Sequence, residues 1–207
     1  MKKIIWMLIV LLATPSLWAA VGCDLNEPDR DVKRFFPAST HYTTAYESIE
    51  KSGGEKLLAQ VEHELGEAFS GLYEKIDVPY TVYTIYQKDN LLGYIHGVNQ
   101  KGKYGAIQVF LVLTPQGKIL DIYFQKLTSK QAKFFRSDHF RSPFKGLSYK
   151  DFAGYNVAAK KLPDLPPLSA LTAPNEDTTD FYSILRGVKK NLILMRHFVF
   201  GTTEEQP

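Results

Sequence analysis

LLGYIHGVNQKGKYGAIQVFLVLTPQGKILDIYFQKL, residues 91–127, decides the fold. It divides into three strands and two turns. Residues 91–98 are apolar around Gly93, and Lys101-Gly102-Lys103 marks a turn. Residues 104–113 are rich in β-branched and aromatic side chains. Pro115-Gln116-Gly117-Lys118 supplies a second tight turn before residues 119–126 run back. Spacers this short join antiparallel neighbours, because a parallel connection needs a longer crossover. Residues 107–113 are apolar on both alternating faces apart from Gln108, the pattern of a central strand covered on both sides.

Working outward, residues 79–87 (PYTVYTIYQ) read as a fourth strand, turned into the next by Lys88-Asp89-Asn90. Residues 55–69 (EKLLAQVEHELGEAF) place Leu57, Leu58, Val61, Leu65 and Phe69 at helical spacing, with charges opposite. Residues 128–135 suit a short helix, and the Pro-rich residues 162–174 must be irregular. Residues 180–199 form a last helix with Leu185, Val188, Leu192, Met195 and Val199 on one face, capped by Thr179 or Asp180. The expectation is an α+β domain, an antiparallel sheet of about four strands with helices packed on it.

Hydrophobic residues at 44% and aromatics at 13% are ample for one packed core in a chain of 207 residues. The formal charge is +3, and removing Lys2 and Lys3 with a cleaved leader leaves about +1. No basic stripe points to nucleic acid. His41, His63, His96, His139 and His197 are scattered and form no HExxH pair, so no metal is proposed. No nucleophile elbow, phosphate-binding P-loop, Rossmann glycine set or CxxC is present.

Residues 1–22 read as a signal peptide: Lys2 and Lys3, then the apolar run 4–13 (IIWMLIVLLA), then Pro15. An uncleaved N-terminal anchor is the alternative. Ala20-Val21-Gly22-Cys23 resembles a bacterial lipobox, which implies a diacylglycerol on Cys23, the single cysteine of the chain. Ordinary cleavage near Ala19 or Ala20, leaving a free thiol, is the competing reading. Asp24 resembles an inner-membrane retention signal, which implies a lipoprotein on the periplasmic face of the inner membrane. Residues 23–31 read as a tether, 32–200 as the domain and 201–207 as a tail.

The middle of the chain resembles the FMN-binding domain family, the periplasmic flavin carriers of Rnf-type and sodium-pumping quinone reductase complexes and of NosR-type regulators. The resemblance rests on Gly93-Tyr94, on Lys103-Tyr104-Gly105 before the apolar strand, and on Gln116-Gly117-Lys118-Ile119. Phe36-Pro37-Ala38 and Phe144-x-Gly146 resemble further family segments. The family esterifies FMN to a Thr just ahead of its last helix. Aligning on Gly187-Val188 puts that acceptor on Thr178, with Thr179 as its neighbour. The resemblance implies a cofactor site drawing on Thr178, Thr179, Tyr104, Gly105 and Lys145, with Arg141 and Lys150 beside Lys145. It also implies electron transfer with a membrane redox complex or cytochrome, and loading by a flavin transferase. The family's Ser-Gly-Ala becomes Asn175-Glu176-Asp177 here, and Asp180 follows. Three carboxylates around a phosphate predict flavin held weakly or not at all. A flavin-free member serving as an assembly or sensory module is therefore the alternative function.

Overall fold

The computed structural model describes residues 22–164, 166–174 and 177–201. A helix α1 (Pro28–Phe35) leads into strand β1 (His41–Glu47), helices α2 (Ile49–Ser52) and α3 (Gly54–Leu65), and a 3-10 turn at Leu72–Glu74. Strands β2 (Tyr80–Gln87), β3 (Asn90–Lys101), β4 (Ala106–Leu113) and β5 (Ile119–Leu127) follow. Short helices α4 (Ala132–Phe135), α5 (Asp138–Arg141) and α6 (Tyr149–Phe152) lead to the long helix α7 (Thr179–Met195), which continues as a π turn at Arg196–Phe200.

The strands form one antiparallel sheet in sequence order, β1 to β5. The α+β expectation therefore holds, but with five strands, not four. The missed strand is β1, HYTTAYE. It is an edge strand with most side chains in solvent, so it carries no apolar alternation to read. The centre of the sheet is β3, and the strand expected there, β4, lies one place further on. It is nevertheless covered on both sides. Val109, Leu111 and Leu113 face one core with Val82, Val98 and Ile122, under α3 and α7. Phe110 and Val112 face a second core with Tyr83, Ile85 and Ile95.

That second core is closed by residues 22–36, which correct the tether expectation. Pro28 opens α1, where its missing N–H costs nothing, with Asp29 and Asp31 in the first turn and Lys33 and Arg34 in the last. Val32, Phe36, Leu25 and Cys23 are buried against the sheet. Polar bonds fix the arm as well: Leu25 N donates to the Tyr83 hydroxyl at 3.0 Å, and Asn26 N to Gln125 Oε1 at 2.7 Å. The Thr81 hydroxyl donates to the Asp24 carboxylate.

One glycine fixes the register of the middle hairpin. Gly93 has φ 154°, and a Cβ there would lie 2.1 Å from the Leu113 carbonyl oxygen. Its strand carries an extra residue at this point, where Ile85 pairs with Gly93 but Tyr86 pairs with Leu91. The outer edge of β5 is protected from further pairing. Arg136 Nη1 donates to Phe124 O at 2.5 Å, and Ile119 N donates to Leu147 O at 2.8 Å.

Helix α7 crosses the sheet with its first turn beside the β3–β4 hairpin and its C-terminal continuation beside the β4–β5 turn, where Phe200 meets Gly117 and Tyr94. It is buried nearly all round. Leu185, Val188, Leu192 and Met195 lie inside as expected, but so do Lys189, Lys190 and Asn191.

Candidate functional site

The sequence pattern places the site where the first turn of α7 meets the β3–β4 hairpin. The hairpin closes with Gly102 N donating to Gly105 O at 2.8 Å. Asp180 packs into it and accepts from Lys103 N at 2.7 Å. Gly102 permits this approach: a Cβ at that position would lie 2.8 Å from Asp180 Oδ1. Asp177 accepts from Thr179 N at 2.9 Å and from the Lys103 ammonium. The Lys103 bond, helped by the Thr179 hydroxyl and amide, holds the Asp177 carboxyl well below its ordinary range. Thr178 is the N-cap residue, half-buried, and its hydroxyl makes no capping bond. Thr179 is exposed. Tyr104 stands out at the hairpin tip, with Lys103 and Lys130 Nζ 5.6 and 5.2 Å from its ring centre.

Four of the five residues expected at a flavin site, Thr178, Thr179, Tyr104 and Gly105, thus belong to one corner of the fold. Lys145 does not. Gly146 N donates to Ile119 O at 2.7 Å, which fixes the 145–147 loop at the start of β5, the other end of the sheet. Arg141 is likewise turned away from the corner: its Nη1 pairs with Asp121 at 2.9 Å. Glu176 lies outside the described residues.

The donor set of this corner fits a phosphate poorly. A helix start binds anions through its free N–H groups. Here the amides of Thr179 and Lys103 are already bonded to the carboxylates of Asp177 and Asp180. An arriving phosphate would have to displace both, against repulsion of about 3 kcal/mol for each pair of unit charges about 5 Å apart at an effective dielectric of about 20.

A second polar centre lies further along α7, and the sequence reading missed it. Glu74 accepts from Arg186 Nη1 at 2.5 Å and Nη2 at 3.0 Å, from Lys190 Nζ at 2.8 Å and from Ser70 N at 3.0 Å. Burial alone would raise its carboxyl, but the bonds to Arg186 and Lys190 outweigh that and lower it to about 2. Lys190 is fully buried, and burial lowers its ammonium to about 8 in spite of the Glu74 partner. Arg186 also bonds Glu67 and Gln100. A cleft of about 520 Å³ opens beside this network, lined by Ser70, Tyr73, Gln100 and Ser183 among others. One turn away, Asn191 Nδ2 donates to His96 O at 2.9 Å while Asn191 Oδ1 meets His96 Nδ1 at 2.8 Å. Burial lowers the His96 imidazole to about 4, so it is neutral at pH 7. The signal available beforehand was the polar run Lys189-Lys190-Asn191 inside an otherwise apolar helix. These charges neutralise one another and tie α7 to β3.

Cys23 is 1% exposed, and burial pushes its thiol up. Lipid on its sulfur requires residues 22–26 to leave the sheet. Among the described residues no cluster of metal-ligating side chains is assembled, and no helix is long and apolar enough to cross a membrane. Residues 1–21, read from the sequence as a signal peptide with the apolar run 4–13, lie outside the described residues. Comparison with known protein families and with curated proteins finds no match to this chain.

Proposed function

We propose that this chain is an exported, membrane-tethered domain of the FMN-binding-domain type that works without covalent flavin, as an assembly or sensory module of a membrane redox system. The link to flavin carriers rests on the sequence resemblance, and the α+β antiparallel architecture is consistent with it. The observation that carries the flavin-free reading is the pair Asp177 and Asp180. Asp177 occupies the Thr179 amide at the start of α7 and Asp180 the Lys103 amide beside it, and both put negative charge where a phosphate would sit.

A second reading is electron transfer by a flavoprotein, with FMN on Thr178. It is favoured by the Thr178 hydroxyl, which stands at the helix start without a capping bond. When bound, FMN would supply one- and two-electron redox chemistry of its own. The chain's part would be to position it.

The two readings separate in one experiment. The protein is made in a host that carries a flavin transferase, then examined by intact mass and visible absorption. The expected result is the mass of the polypeptide without FMN and no flavin absorption. Replacing Glu176→Gly together with Asp177→Ala should raise attachment, and adding Thr178→Val should abolish it again. Stoichiometric covalent FMN on the unaltered chain overturns the flavin-free reading and makes electron transfer the function.

A further inference from the structure

The end of the sheet from which the N-terminal arm departs carries a distinctive set of side chains. The described chain begins at Gly22, whose carbonyl accepts from Asn99 Nδ2 at 3.2 Å and whose Cα packs beside Pro79. Asn99 lies two residues before the end of β3, so the described chain begins at the β3–β4 hairpin end. Among the described residues, two of the three large hydrophobic side chains that are conspicuously exposed lie toward that end. Tyr104, 43% exposed, is at the hairpin tip, and Tyr46, 61% exposed, is near the end of β1, opposite Thr81 at the start of β2. Both are tyrosines, with an apolar ring and a polar tip. The third, Leu120, is at the opposite end of the sheet.

Lysines gather at the Tyr104 ring. Lys101 and Lys130 are exposed beside it, and Lys103 is exposed with its ammonium on Asp177, whereas at Tyr46 the single nearby lysine, Lys51, bonds the backbone carbonyl at 3.0 Å and pairs with Glu47. Lysine stems with amphipathic aromatic rings suit a bilayer headgroup layer, where ring bodies sit at the boundary and ammonium groups meet phosphates. The same set is poorly suited to a protein groove, because the rings stand apart and form no continuous apolar patch.

We infer that the tip of this hairpin, Tyr104 with Lys101 and Lys130, unpaired among the described residues, lies against an anionic phospholipid surface. The inference rests on the tethered reading above, in the form in which residues 1–22 stay as an uncleaved N-terminal anchor. Only residues 14–21 separate the apolar run 4–13 from Gly22. Fully extended, they reach at most about 28 Å. A surface held this near is presented with the bilayer at high effective concentration, so a few weak contacts are enough to orient it. Docking at this end leaves the far end, with the β4–β5 turn and Leu120, directed away from the bilayer.

The test uses the full chain reconstituted into vesicles through its own N-terminal segment. Trp6 and Trp18 are replaced by Phe, and a single reporter, Tyr104→Trp or Leu120→Trp, is introduced. Both positions are exposed, so the fold tolerates the larger ring. Vesicles of phosphatidylcholine alone, or mixed with phosphatidylglycerol, carry a bromine-labelled quencher lipid. Docking predicts loss of the Tyr104→Trp emission in phosphatidylglycerol vesicles, recovery of that emission at high salt, and no loss for Leu120→Trp. Adding Lys101→Glu and Lys130→Glu should restore the emission while the protein still floats with the vesicles. If the protein floats but both reporters stay bright, the tether stands and the docking surface is wrong. Equal quenching by neutral vesicles also overturns the anionic surface. Failure to float with any vesicle overturns the tethered reading, and this inference with it.

Discussion

Replacing Glu74→Gln removes one charge from the buried network while preserving the shape of the side chain. Four donors converge on that carboxylate, and its side chain is 5% exposed. The difference between its ordinary value of 4.5 and about 2 corresponds to roughly 3 kcal/mol, at about 1.4 kcal/mol per pH unit. Breaking a buried pair by removing one partner typically costs about 3–5 kcal/mol, because the other charge is stranded. Lys190, with no exposed side-chain surface, is the charge left behind. The expected loss at pH 7 is therefore about 3–5 kcal/mol, measured by urea unfolding. The pH dependence gives a second readout. The folded-state value is lowered, so the unfolded chain takes up the proton first as pH falls. Glu74 thus contributes its full stabilisation above pH 4.5 and loses it between 4.5 and about 2. The Gln variant should lack that part of the acid slope. A companion change, Lys190→Met, should recover much of the loss when combined with Glu74→Gln, since the stranded charge is then gone. A single-variant cost under about 1 kcal/mol, or acid slopes that coincide with the parent, would refute the reasoning.

Four further outcomes follow from the fold and the N-terminal arm. Leu111→Ala, at a fully buried position of β4, should cost about 2–5 kcal/mol in the same assay, and a cost under about 1 would remove it from the core. Gly93→Ala should destabilise by more than an ordinary exchange in a strand, because the new methyl meets the Leu113 carbonyl as well as a strained φ; a neutral thermal melt would show that the hairpin can shift its register. Cys23 should resist thiol reagents in the folded chain and react once the chain is unfolded in urea. In cells, the lipoprotein reading expects Cys23→Ser to release the protein from membranes or to block its maturation, and a variant still membrane-bound and cut at the same place would contradict it.

How far the sequence was legible depended on where each side chain's free energy is spent. Strands β2 to β5 announced themselves because Val, Ile and aromatic residues alternate onto two cores, and their turns carry Gly, Pro or Asn. Strand β1 was opaque because its side chains face water, and its pairing with β2 is made by backbone bonds that no side-chain pattern records. Of helix α1 only the end was legible, as a short amphipathic turn in residues 32–37 with Phe35 and Phe36 packing on the sheet; its charged start was hidden, because Asp31 and Val32 are too short a buried stripe for periodicity. In α7 the period identified one face, but Lys189, Lys190 and Asn191 are buried by long-range partners. Glu74 lies 116 positions from Lys190, and His96 lies 95 from Asn191. The corner of Thr178, Thr179, Tyr104 and Gly105 was legible through resemblance. The use of its amides by Asp177 and Asp180 was not, since that depends on how the two loops meet. Lys145 was misplaced because a chain position after the sheet does not say to which end the loop returns.

The arm that closes the second face also sets an order of events. Tyr83, Ile85, Ile95, Phe110 and Val112 become a sealed core only when Cys23, Leu25, Val32 and Phe36 lie on them. The arm's bonds reach 58 positions ahead to Tyr83 and 99 to Gln125, so it can dock only after the whole sheet exists. While any machine grips the chain just ahead of Gly22, that face stays greasy and open. Such an intermediate is prone to aggregate and to recruit a holding chaperone until it is let go. If residues 1–22 are a signal peptide, as the sequence reading expects, their release would act as the final folding step, and a slow release should show up as protein lost to degradation before it is lost to misassembly.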